Sequence, residues 1–481
     1  MDKMINAIAV ISTDDEGVGG IRRHALEMVN AWNMETTVIY AAYRDRVLQL
    51  GVCRNGRWIY KVESLQDGSF DILREVFDAY HVGLVHIHNF FRITQELHDF
   101  YKAMGVPYVY TIHGYYVCCP MQALTTGYSG RYCGYPDDLD ECRKCLKESH
   151  REAWRYSRDQ IIDIEQYHRM YLGLLDDAAM LVAVSDDVKR RILRRFPELK
   201  NKIKIIENPE VVEPDHKLMH EALSKRRKRE TEGKRIRIAC LGAISYIKGR
   251  NVIEACARAA ETRYPDMEFI VFGTLSPTVK QPPQNLTIRG RYREEDIYGQ
   301  IADEDIDFFW FPAIWPETYS YTLSIPVRLG IPIVSSNLGA PKDRIERQGW
   351  GATYKWDSSP EEILDFLHGF DYRHYEATGD FVIHNDHFPT IEEYYGDIWQ
   401  PHTVQYDEEK AKCIFAAFKK NQDGHGMKDF TLFEWKWLMR RTYGFFARLS
   451  LIRRFSIHKL WIDLKHKGIR GTYVYIRSMY S

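Results

Sequence analysis

Residues 306–334 read IDFFWFPAIWPETYSYTLSIPVRLGIPIV and contain two apolar runs separated by a polar loop. The first run, 306–311, and the second, 331–334, are typical of strands buried on both faces of a sheet. A lone acid, Glu317, lies between them, just before a short helical pattern. Open α/β sheets bind ligands at the carboxyl ends of their strands, and helix amino termini attract anions. Glu317 is therefore a candidate ligand-binding residue, with a solvated surface loop as the alternative.

Similar apolar runs alternate with amphipathic helical patterns along most of the chain. The predicted strands are 7–11, 37–41, 84–88, 108–112 and 181–184 in the first half, and 236–241, 269–272, 286–288, 308–311 and 331–334 in the second. This alternation is typical of parallel sheets covered by helices on both faces. The sequence thus predicts two α/β domains, joined by a charged segment that contains the run KRRKR at 225–229. We interpret that run as a solvated linker or helix face, with a nucleic-acid patch as the alternative.

Composition narrows the class of protein. The chain has 481 residues, which is too long for one ordinary core, and a formal net charge of −1, which implies no overall attraction to nucleic acid. Its apolar runs fall short of the roughly 18–20 residues that span a bilayer. The apolar run 5–11 leads into Ser12-Thr13-Asp14-Asp15 instead of a small-residue cleavage site, so we expect a first strand and not a signal peptide. A cytoplasmic protein with reduced thiols follows.

Glycine turns follow the first predicted strand of each half. In the first half the turn is DDEGVGG at 14–20, and in the second it is GAISYIKG at 242–249, which carries Lys248. Glycines let a backbone approach a ligand closely, and a lysine before a helix can neutralise a diphosphate. The first turn is not G-x-G-x-x-G and lacks the acid that binds ribose, so a nicotinamide cofactor is not expected. A plain tight turn and a solvated lysine are the alternatives.

Histidines follow two other predicted strands of the first half. His86 and His88 close one strand, and His113 closes the next. Alternate residues share one face of a strand, but no carboxylate stands nearby in sequence, which disfavours a metal site on His86 and His88.

Together these motifs resemble the retaining glycosyltransferases of family 4. The motifs are Gly19-Gly20, His113-Gly114, Gly242 to Gly249 and Pro316-Glu317-Thr318-Tyr319, with Ser185 and Glu207-Asn208-Pro209 as smaller similarities. The resemblance implies a GT-B fold, in which two Rossmann-like domains face each other across a cleft. We assign an acceptor-side domain to 1–212, with a Cys-rich insert at 115–146, and a charged linker to 213–235. A donor-binding domain (236–388), a crossover helix (389–404) and a basic aromatic helical extension (405–481) follow.

The resemblance also implies roles for single residues. Lys248 would hold the donor diphosphate, Glu317 would bind hydroxyls of the transferred sugar, and His113 would orient that sugar. The other implied donor-binding residues are Gly19, Gly20, Gly242, Tyr319, Ser320, Tyr321 and Thr322. The implied reaction is hexosyltransferase-like: it moves a sugar from a UDP- or GDP-sugar to a glycan or polyprenyl-linked acceptor, with retained configuration and no catalytic cofactor.

Two positions depart from the family pattern. Ile325 stands where the family has a second Glu that contacts the nucleotide ribose, and losing that contact would cost about 1–3 kcal/mol. Ala243 stands where many members have an Arg beside the diphosphate. Two alternatives therefore stay open: a non-catalytic GT-B protein that binds a sugar nucleotide or a partner, and a GT-B sugar-nucleotide epimerase. The epimerase would need acid/base carboxylates that the motifs do not supply.

Cysteines are concentrated in the insert. Five of nine lie between 118 and 145, and four of them could supply thiolates to a structural zinc ion: Cys119, Cys133, Cys142 and Cys145. Reduced, unpaired thiols are the alternative.

The end of the chain is basic and aromatic. Residues 435–481 contain eleven Lys or Arg and one acid, Asp463, interleaved with aromatic and aliphatic side chains. This composition is typical of a peripheral anchor on anionic lipid, and a helical appendage packed on the second domain is the alternative. An anchor at the inner face of the cell membrane would suit a lipid-linked acceptor in the biosynthesis of a cell-envelope polysaccharide.

Overall fold

The computed structural model describes residues 4–12, 20–44, 47–66, 70–88, 95–126, 130–148, 163–208, 215–231, 235–375 and 388–424. The strands of the first half are β1 (Met4–Ile5), β2 (Ile8–Ser12), β3 (Val38–Arg44), β4 (Val47–Arg54), β5 (Arg57–Gln66), β6 (Leu84–Ile87), β7 (Tyr108–Ile112), β8 (Met180–Ala183) and β9 (Ile203–Ile205). Its helices are α1 (Gly20–Trp32), α2 (Phe70–Ala79), α3 (Gln95–Ala103), α4 (Leu139–Glu148), α5 (Ile164–Asp177) and α6 (Asp186–Arg195), with 3-10 turns at Tyr115–Val117 and Pro197–Asn201.

These strands form an eight-stranded sheet in the order β5-β4-β3-β2-β6-β7-β8-β9. Strands β2, β3 and β6 to β9 run parallel, as predicted, and all five predicted strands of this half are present. The hairpin β4–β5 was not predicted and extends the sheet antiparallel to β3. Its turn is Asn55-Gly56, both with positive φ (51° and 73°), which is the turn that matches the twist of two antiparallel strands.

The charged segment between the halves folds as helix α7 (His216–Thr231). On this helix, Lys225 Nζ lies 3.0 Å from Asp303 Oδ1 of the second half. Lys225 is the residue of this run whose side chain the structure describes, and it forms a surface ion pair. A surface ion pair is expected of a solvated helix face.

The second half is a six-stranded parallel sheet flanked by helices. Its strands are β10 (Ile236–Ile244), β11 (Met267–Leu275), β12 (Leu286–Gly290), β13 (Phe308–Phe311), β14 (Ile333–Ser336) and β15 (Gly351–Tyr354). Its helices are α8 (Arg250–Arg263), α9 (Ile297–Glu304), α10 (Ser324–Arg328), α11 (Gly339–Gln348) and α12 (Pro360–His368), with 3-10 turns at Tyr321–Leu323 and Tyr372–Tyr375. The strand order β12-β11-β10-β13-β14-β15 is that of a Rossmann fold. The prediction of two Rossmann-like sheets is confirmed.

Apolar clusters cover the sheet of the second half on both faces. One cluster joins α8 and α12 to the sheet through Ile253 and Leu364, and another joins α9 through Ile301. Burial on both faces explains why these strands are continuous apolar runs instead of alternating ones.

The chain then returns to the first sheet. Helix α13 (Ile391–Tyr395) and the 3-10 turn Gly396–Ile398 lead to strand β16 (Thr403–Val404), which pairs with β1. The Trp32 ring of α1 lies 5.3 Å and 5.1 Å from the rings of Tyr394 and Tyr395, and its Nε1 donates to the Pro389 carbonyl at 2.8 Å. The segment predicted to cross back therefore packs on the first sheet, while the exact domain bounds stay a prediction.

The last described helix is α14 (Glu408–Gly424). Residues 1–415 belong to one compact unit, and the end of α14, residues 416–424, belongs to a second unit. The predicted extension beyond residue 424 lies outside the described residues. Among the described helices, none combines the length and the hydropathy that crossing a membrane requires.

Candidate active site

The sheet of the second half has its topological switch point between β10 and β13. Neighbouring strands there lead to helices on opposite faces, and ligands bind outside their carboxyl ends. Lys248 follows β10 and Glu317 follows β13, so that both predicted residues lie at this point. The two loops are joined by a hydrogen bond from the Ile314 N–H to the Ile247 carbonyl at 2.9 Å. Strand order therefore brings together two residues that are 69 positions apart in the sequence.

Lys248 and Glu317 form an ion pair at the switch point. Lys248 Nζ lies 3.7 Å from Glu317 Oε1; the lysine side chain is 39% exposed and the glutamate side chain 10%. The glutamate backbone is fixed as well, because its carbonyl accepts from the Ala340 N–H at 2.8 Å. An ion pair of this length and exposure contributes little to stability. The lysine thus keeps donors available to an anionic ligand, beside a buried acceptor that can bind hydroxyl groups.

Buried Arg344 shapes the loop after Glu317. It is 6% exposed, its Nη1 donates to the carbonyls of Tyr319 (3.2 Å) and Ser320 (2.9 Å), and its Nη2 donates to Ser324 Oγ at 2.8 Å. Ser320 has a φ of 71°, a conformation that non-glycine residues adopt rarely and that clusters at functional sites. The guanidinium satisfies loop carbonyls, so the loop keeps this shape without regular secondary structure.

Two other predicted donor-binding residues, Gly242 and Tyr319, differ in their position relative to the loop after Glu317. Gly242 is the last residue of the continuous buried run of β10 and has a φ of 112°, and a Cβ at that position would lie 3.6 Å from Thr322 Cγ2. The side chain of Tyr319 points elsewhere, since its hydroxyl donates to the Asn208 carbonyl at 3.0 Å. The structure thus places Gly242 beside Thr322 and assigns the Tyr319 side chain to the connection with the first half.

Tyr321 reaches helix α1 of the first half. Its hydroxyl donates to Glu27 Oε2 at 3.2 Å, and the Arg23 guanidinium lies 4.6 Å from its ring centroid. A Cβ on Gly20 would lie 3.4 Å from the Tyr321 ring, so this predicted pair is also brought together. The predicted residue Gly19 lies outside the described residues.

His113 connects the first half to the Glu317 loop through its backbone. The Thr318 hydroxyl donates to the His113 carbonyl at 2.9 Å. The ring Nε2 of His113 lies 3.0 Å from His88 Nδ1, so one imidazole donates to the other. Burial, reinforced by His24 and His86, holds the pKa of His113 well below its usual range, and the ring is neutral at pH 7. His113 is therefore next to the candidate site, as a neutral hydrogen-bonding group.

The two departures from the family pattern have different surroundings. Ile325 is 9% exposed and packs in an apolar cluster with Phe309 and Leu329, facing the core. Ala243 is exposed at the carboxyl end of β10. A nearby hydrophobic core thus accounts for Ile325, whereas nothing in the structure explains Ala243.

The four cysteines of the insert are free, half-buried thiols. Cys142 and Cys145 are one turn apart on α4, and Cys119 and Cys133 lie in the loop before it. Burial and then the neighbouring thiols Cys118, Cys133 and Cys145 raise the pKa of Cys119. The predicted zinc site stays a prediction.

Sequence reasoning missed several residues around the site: Arg344, and Arg23, His24 and Glu27 of α1. For His24 a signal exists, because it occupies a position on the buried face of α1 with Ala25, Met28, Val29 and Trp32. A polar residue on an apolar helix face needs a partner inside the protein. Arg344 offers no such signal, since its partners are mainly backbone carbonyls that the fold supplies.

Comparison with known proteins agrees with this geometry. Residues 18–209 match the family model described as Glycosyltransferase Family 4. No curated protein matches the chain by sequence. The predicted resemblance is thus confirmed over residues 18–209, and the arrangement of two Rossmann-like sheets is that of the predicted GT-B fold.

Several solved structures are similar in backbone at low sequence identity. HepE from Anabaena in complex with UDP-glucose has a TM-score of 0.48 at 12% identity, over 85% of this chain and 100% of that chain. Sucrose-phosphate synthase from Thermosynechococcus elongatus has a TM-score of 0.48 at 13% identity, over 78% and 92%. WaaG, a glycosyltransferase involved in lipopolysaccharide biosynthesis, has a TM-score of 0.46 at 14% identity, over 85% and 99%.

Proposed function

We propose, taking the match of residues 18–209 to glycosyltransferase family 4 as the premise, that this protein transfers a sugar from a nucleotide-sugar donor to an acceptor. The observation that carries the proposal is the ion pair Lys248–Glu317 at the switch point of the second sheet. The finer parts of the proposal are retention of configuration, a UDP- or GDP-sugar as donor, and a glycan or polyprenyl-linked acceptor in polysaccharide biosynthesis.

The charges of the site suit the departure of a nucleoside diphosphate. Negative charge grows on the leaving diphosphate as the glycosidic bond breaks, and a positioned cation stabilises that charge in the transition state. Lys248 is the group for this role, because its ammonium is partly exposed and its Glu317 partner is 3.7 Å away. A diphosphate can therefore bind the Lys248 ammonium, with or without Glu317, at little cost in free energy.

Glu317 serves the sugar in this proposal. Its buried carboxylate accepts hydrogen bonds, and its backbone is fixed by Ala340, so it can hold donor hydroxyls in one orientation. His113, which is neutral, would hydrogen-bond the same sugar from the first half. Retention would follow from attack of the acceptor on the face that the diphosphate leaves, with the leaving phosphate accepting the acceptor proton.

A panel of donors tests the proposal. Binding and slow hydrolysis of UDP- and GDP-sugars are measured by calorimetry and by nucleotide release with the full-length protein. We expect one donor class to bind, and Lys248→Ala to weaken its affinity by roughly 10–150-fold, which is the loss of one charge-assisted hydrogen bond. Glu317→Ala should lower turnover more than donor affinity, because its sugar contacts strengthen as the sugar becomes cationic.

Matched controls keep the result specific. Lys225→Ala removes a lysine of similar exposure on α7, which pairs with Asp303 of α9. Glu254→Ala removes a glutamate paired with Arg258 on α8. Both variants should bind the donor like the wild type. Unchanged donor binding and turnover in folded Lys248→Ala and Glu317→Ala would overturn the site assignment.

One observation favours a second candidate, a protein that binds a sugar nucleotide without transferring it. The buried Ile325 leaves the ribose without the acid that the family places there, and its side chain is in the core. The same panel separates the two: tight donor binding that depends on Lys248, with no release of nucleotide at any acceptor, would favour the binding protein.

A further inference from the structure

Three histidines converge from three elements of the first half. His24 projects from α1, His88 follows β6, and His113 follows β7. One ring nitrogen from each lies within 4.8 Å of the others. The ring centroids of His24 lie 5.1 Å from His88 and 5.3 Å from His113, at nearly perpendicular angles. The three side chains therefore enclose one small volume.

Several nitrogens in this volume lack a partner. His24 is fully buried, and neither Nδ1 nor Nε2 has a hydrogen-bond partner among the residues that the structure describes. His88 approaches His113 through its Nδ1, so the unpartnered nitrogens that face this volume are those of His24. Buried polar atoms are nearly always satisfied by protein, water or an ion. A buried group of imidazoles with open nitrogens thus points to a ligand that accepts nitrogen lone pairs.

The neighbouring His86 differs from His24, because both of its ring nitrogens have hydrogen-bond partners. Its Nδ1 lies 2.7 Å from the Tyr395 hydroxyl and its Nε2 lies 2.7 Å from the Thr111 hydroxyl. Both of its nitrogens are occupied, and its ring stacks on His88 at 4.5 Å. The pair adjacent in sequence, His86 and His88, is therefore not a ligand pair, whereas His88 faces two histidines from other elements.

We propose that His24, His88 and His113 form a binding site for one divalent transition-metal ion such as Zn²⁺. Three imidazole nitrogens are a common ligand set for this ion, and a fourth position is left to water. Two nitrogens that each bind zinc at about 2.0–2.1 Å in a tetrahedral site lie roughly 3.3 Å apart. The separation of 3.0 Å between His88 Nδ1 and His113 Nε2 is close to that value.

The chemistry of the three rings agrees with metal binding. Imidazole binds a metal only in its neutral form. The ion would join α1 to the carboxyl ends of two strands, next to the link between the His113 carbonyl and Thr318.

The site goes beyond glycosyl transfer and does not depend on it. The ion would be structural, and binding through His113 Nε2 leaves the other ring nitrogen of His113 unbound. A protein of any activity with this geometry would bind the metal, so the test uses metal uptake.

Cobalt(II) titration of chelator-treated, full-length protein tests the proposal. Tetrahedral Co²⁺ absorbs visible light, and thiolate ligands add a sulfur-to-cobalt charge-transfer band that imidazole ligands do not. We expect one equivalent of Co²⁺ to bind in the double variant Cys142→Ser/Cys145→Ser, with the visible bands and without the sulfur band. Zn²⁺ should displace it. Binding to wild type with an additional sulfur band would report the separate cysteine site.

Variants identify the ligands. His24→Ala and His88→Gln, made in the cysteine double variant, should each weaken Co²⁺ binding at least tenfold, while the exposed His81→Ala should not. X-ray absorption of the Zn²⁺-loaded cysteine variant should show a nitrogen and oxygen shell, and this measurement needs no histidine variant to fold. The proposal is overturned if the cysteine variant takes up no metal, or if folded His24→Ala and His88→Gln bind it unchanged.

Discussion

At the scale of single residues, Gly249 determines whether Lys248 can reach the site. It is the N-cap of α8 with a φ of 87°, and a Cβ there would lie 2.0 Å from the Pro312 carbonyl oxygen. Since that oxygen belongs to the loop that leads to Glu317, a larger residue would push the two loops apart. Position 249 requires glycine for two reasons: the Pro312 carbonyl leaves no room for a Cβ, and the φ of 87° is unfavourable for other residues.

Gly249→Ala should therefore weaken donor binding and destabilise the fold. The left-handed conformation alone costs a non-glycine residue about 1–2 kcal/mol, and the contact with backbone adds to that. We expect a lower midpoint in urea denaturation and a loss of donor affinity similar to that of Lys248→Ala. Gly299→Ala is the control, because it lies in α9 with nothing within 4 Å of the added Cβ, and it should stabilise the protein by about 0.5–1 kcal/mol. Equal effects of the two changes would contradict this account of Gly249.

Arg344 illustrates how a residue far from the reacting groups can define a site. Its guanidinium stacks on the Tyr319 ring at 4.4 Å while it binds the loop carbonyls. A buried arginine is stable only with such partners, and the loop carbonyls are stable only with such a donor. The loop after Glu317 thus depends on α11, which lies later in the sequence.

At the scale of elements, α1 and the returning α13 stabilise the histidines. Trp32 at the end of α1 packs on both tyrosines of α13, and Tyr395 also binds His86 at the buried face. The C-terminal part of the described chain thereby supports strand ends in the first half. Helix α13, which follows the second half in the sequence, thus completes the apolar core of the first half.

Tyr395→Phe should reveal this support. The change leaves His86 Nδ1 buried without its partner at 2.7 Å, so we expect the free energy of unfolding to fall by about 1–3 kcal/mol. Tyr375→Phe is the control. The Tyr375 hydroxyl also donates to a single acceptor, the Gly351 carbonyl at 3.0 Å, but Tyr375 is less buried, so water can replace the lost hydroxyl. The control should change the free energy by no more than about 0.5 kcal/mol. Urea denaturation of the two variants under one set of conditions measures the difference, and equal losses would contradict it.

At the scale of the whole molecule, side chains connect the two halves at several points within residues 1–415. Arg190 of α6 lies 2.9 Å from Asp343 of α11, and Arg347 makes two bonds of 2.7 Å and 2.8 Å with Glu207. With the contacts of Thr318 and Tyr321, they place the His113 strand end against the Glu317 loop. The candidate site is therefore a property of both halves and not of the second sheet alone.

Much of this arrangement could be predicted because it depends on local patterns. Apolar runs marked all ten predicted strands, and strand ends marked Lys248, Glu317 and His113. The hairpin β4–β5 was missed although Asn55-Gly56 is a strong turn signal, because its strands mix polar and apolar residues. Arg344 could not be assigned, since its partners are supplied only by tertiary packing. His24 could be recognised as a polar residue on an apolar helix face, but its neighbours His88 and His113 could not be foreseen.

The basic end of the chain gives a last prediction, which rests on sequence because residues 425–481 lie outside the described residues. Each Lys or Arg near an anionic membrane contributes about 1 kcal/mol to binding, and residues 435–481 hold eleven with one acid. The full chain should therefore sediment with anionic vesicles, less so at high salt, whereas a chain ending at residue 424 should stay in solution. Replacing Arg440, Arg441, Arg453 and Arg454 by Gln keeps the aromatic residues and should weaken binding by several kcal/mol, at roughly 1 kcal/mol for each charge. Equal sedimentation of the full and shortened chains would show that the tail is not a membrane anchor, and it would favour the packed appendage.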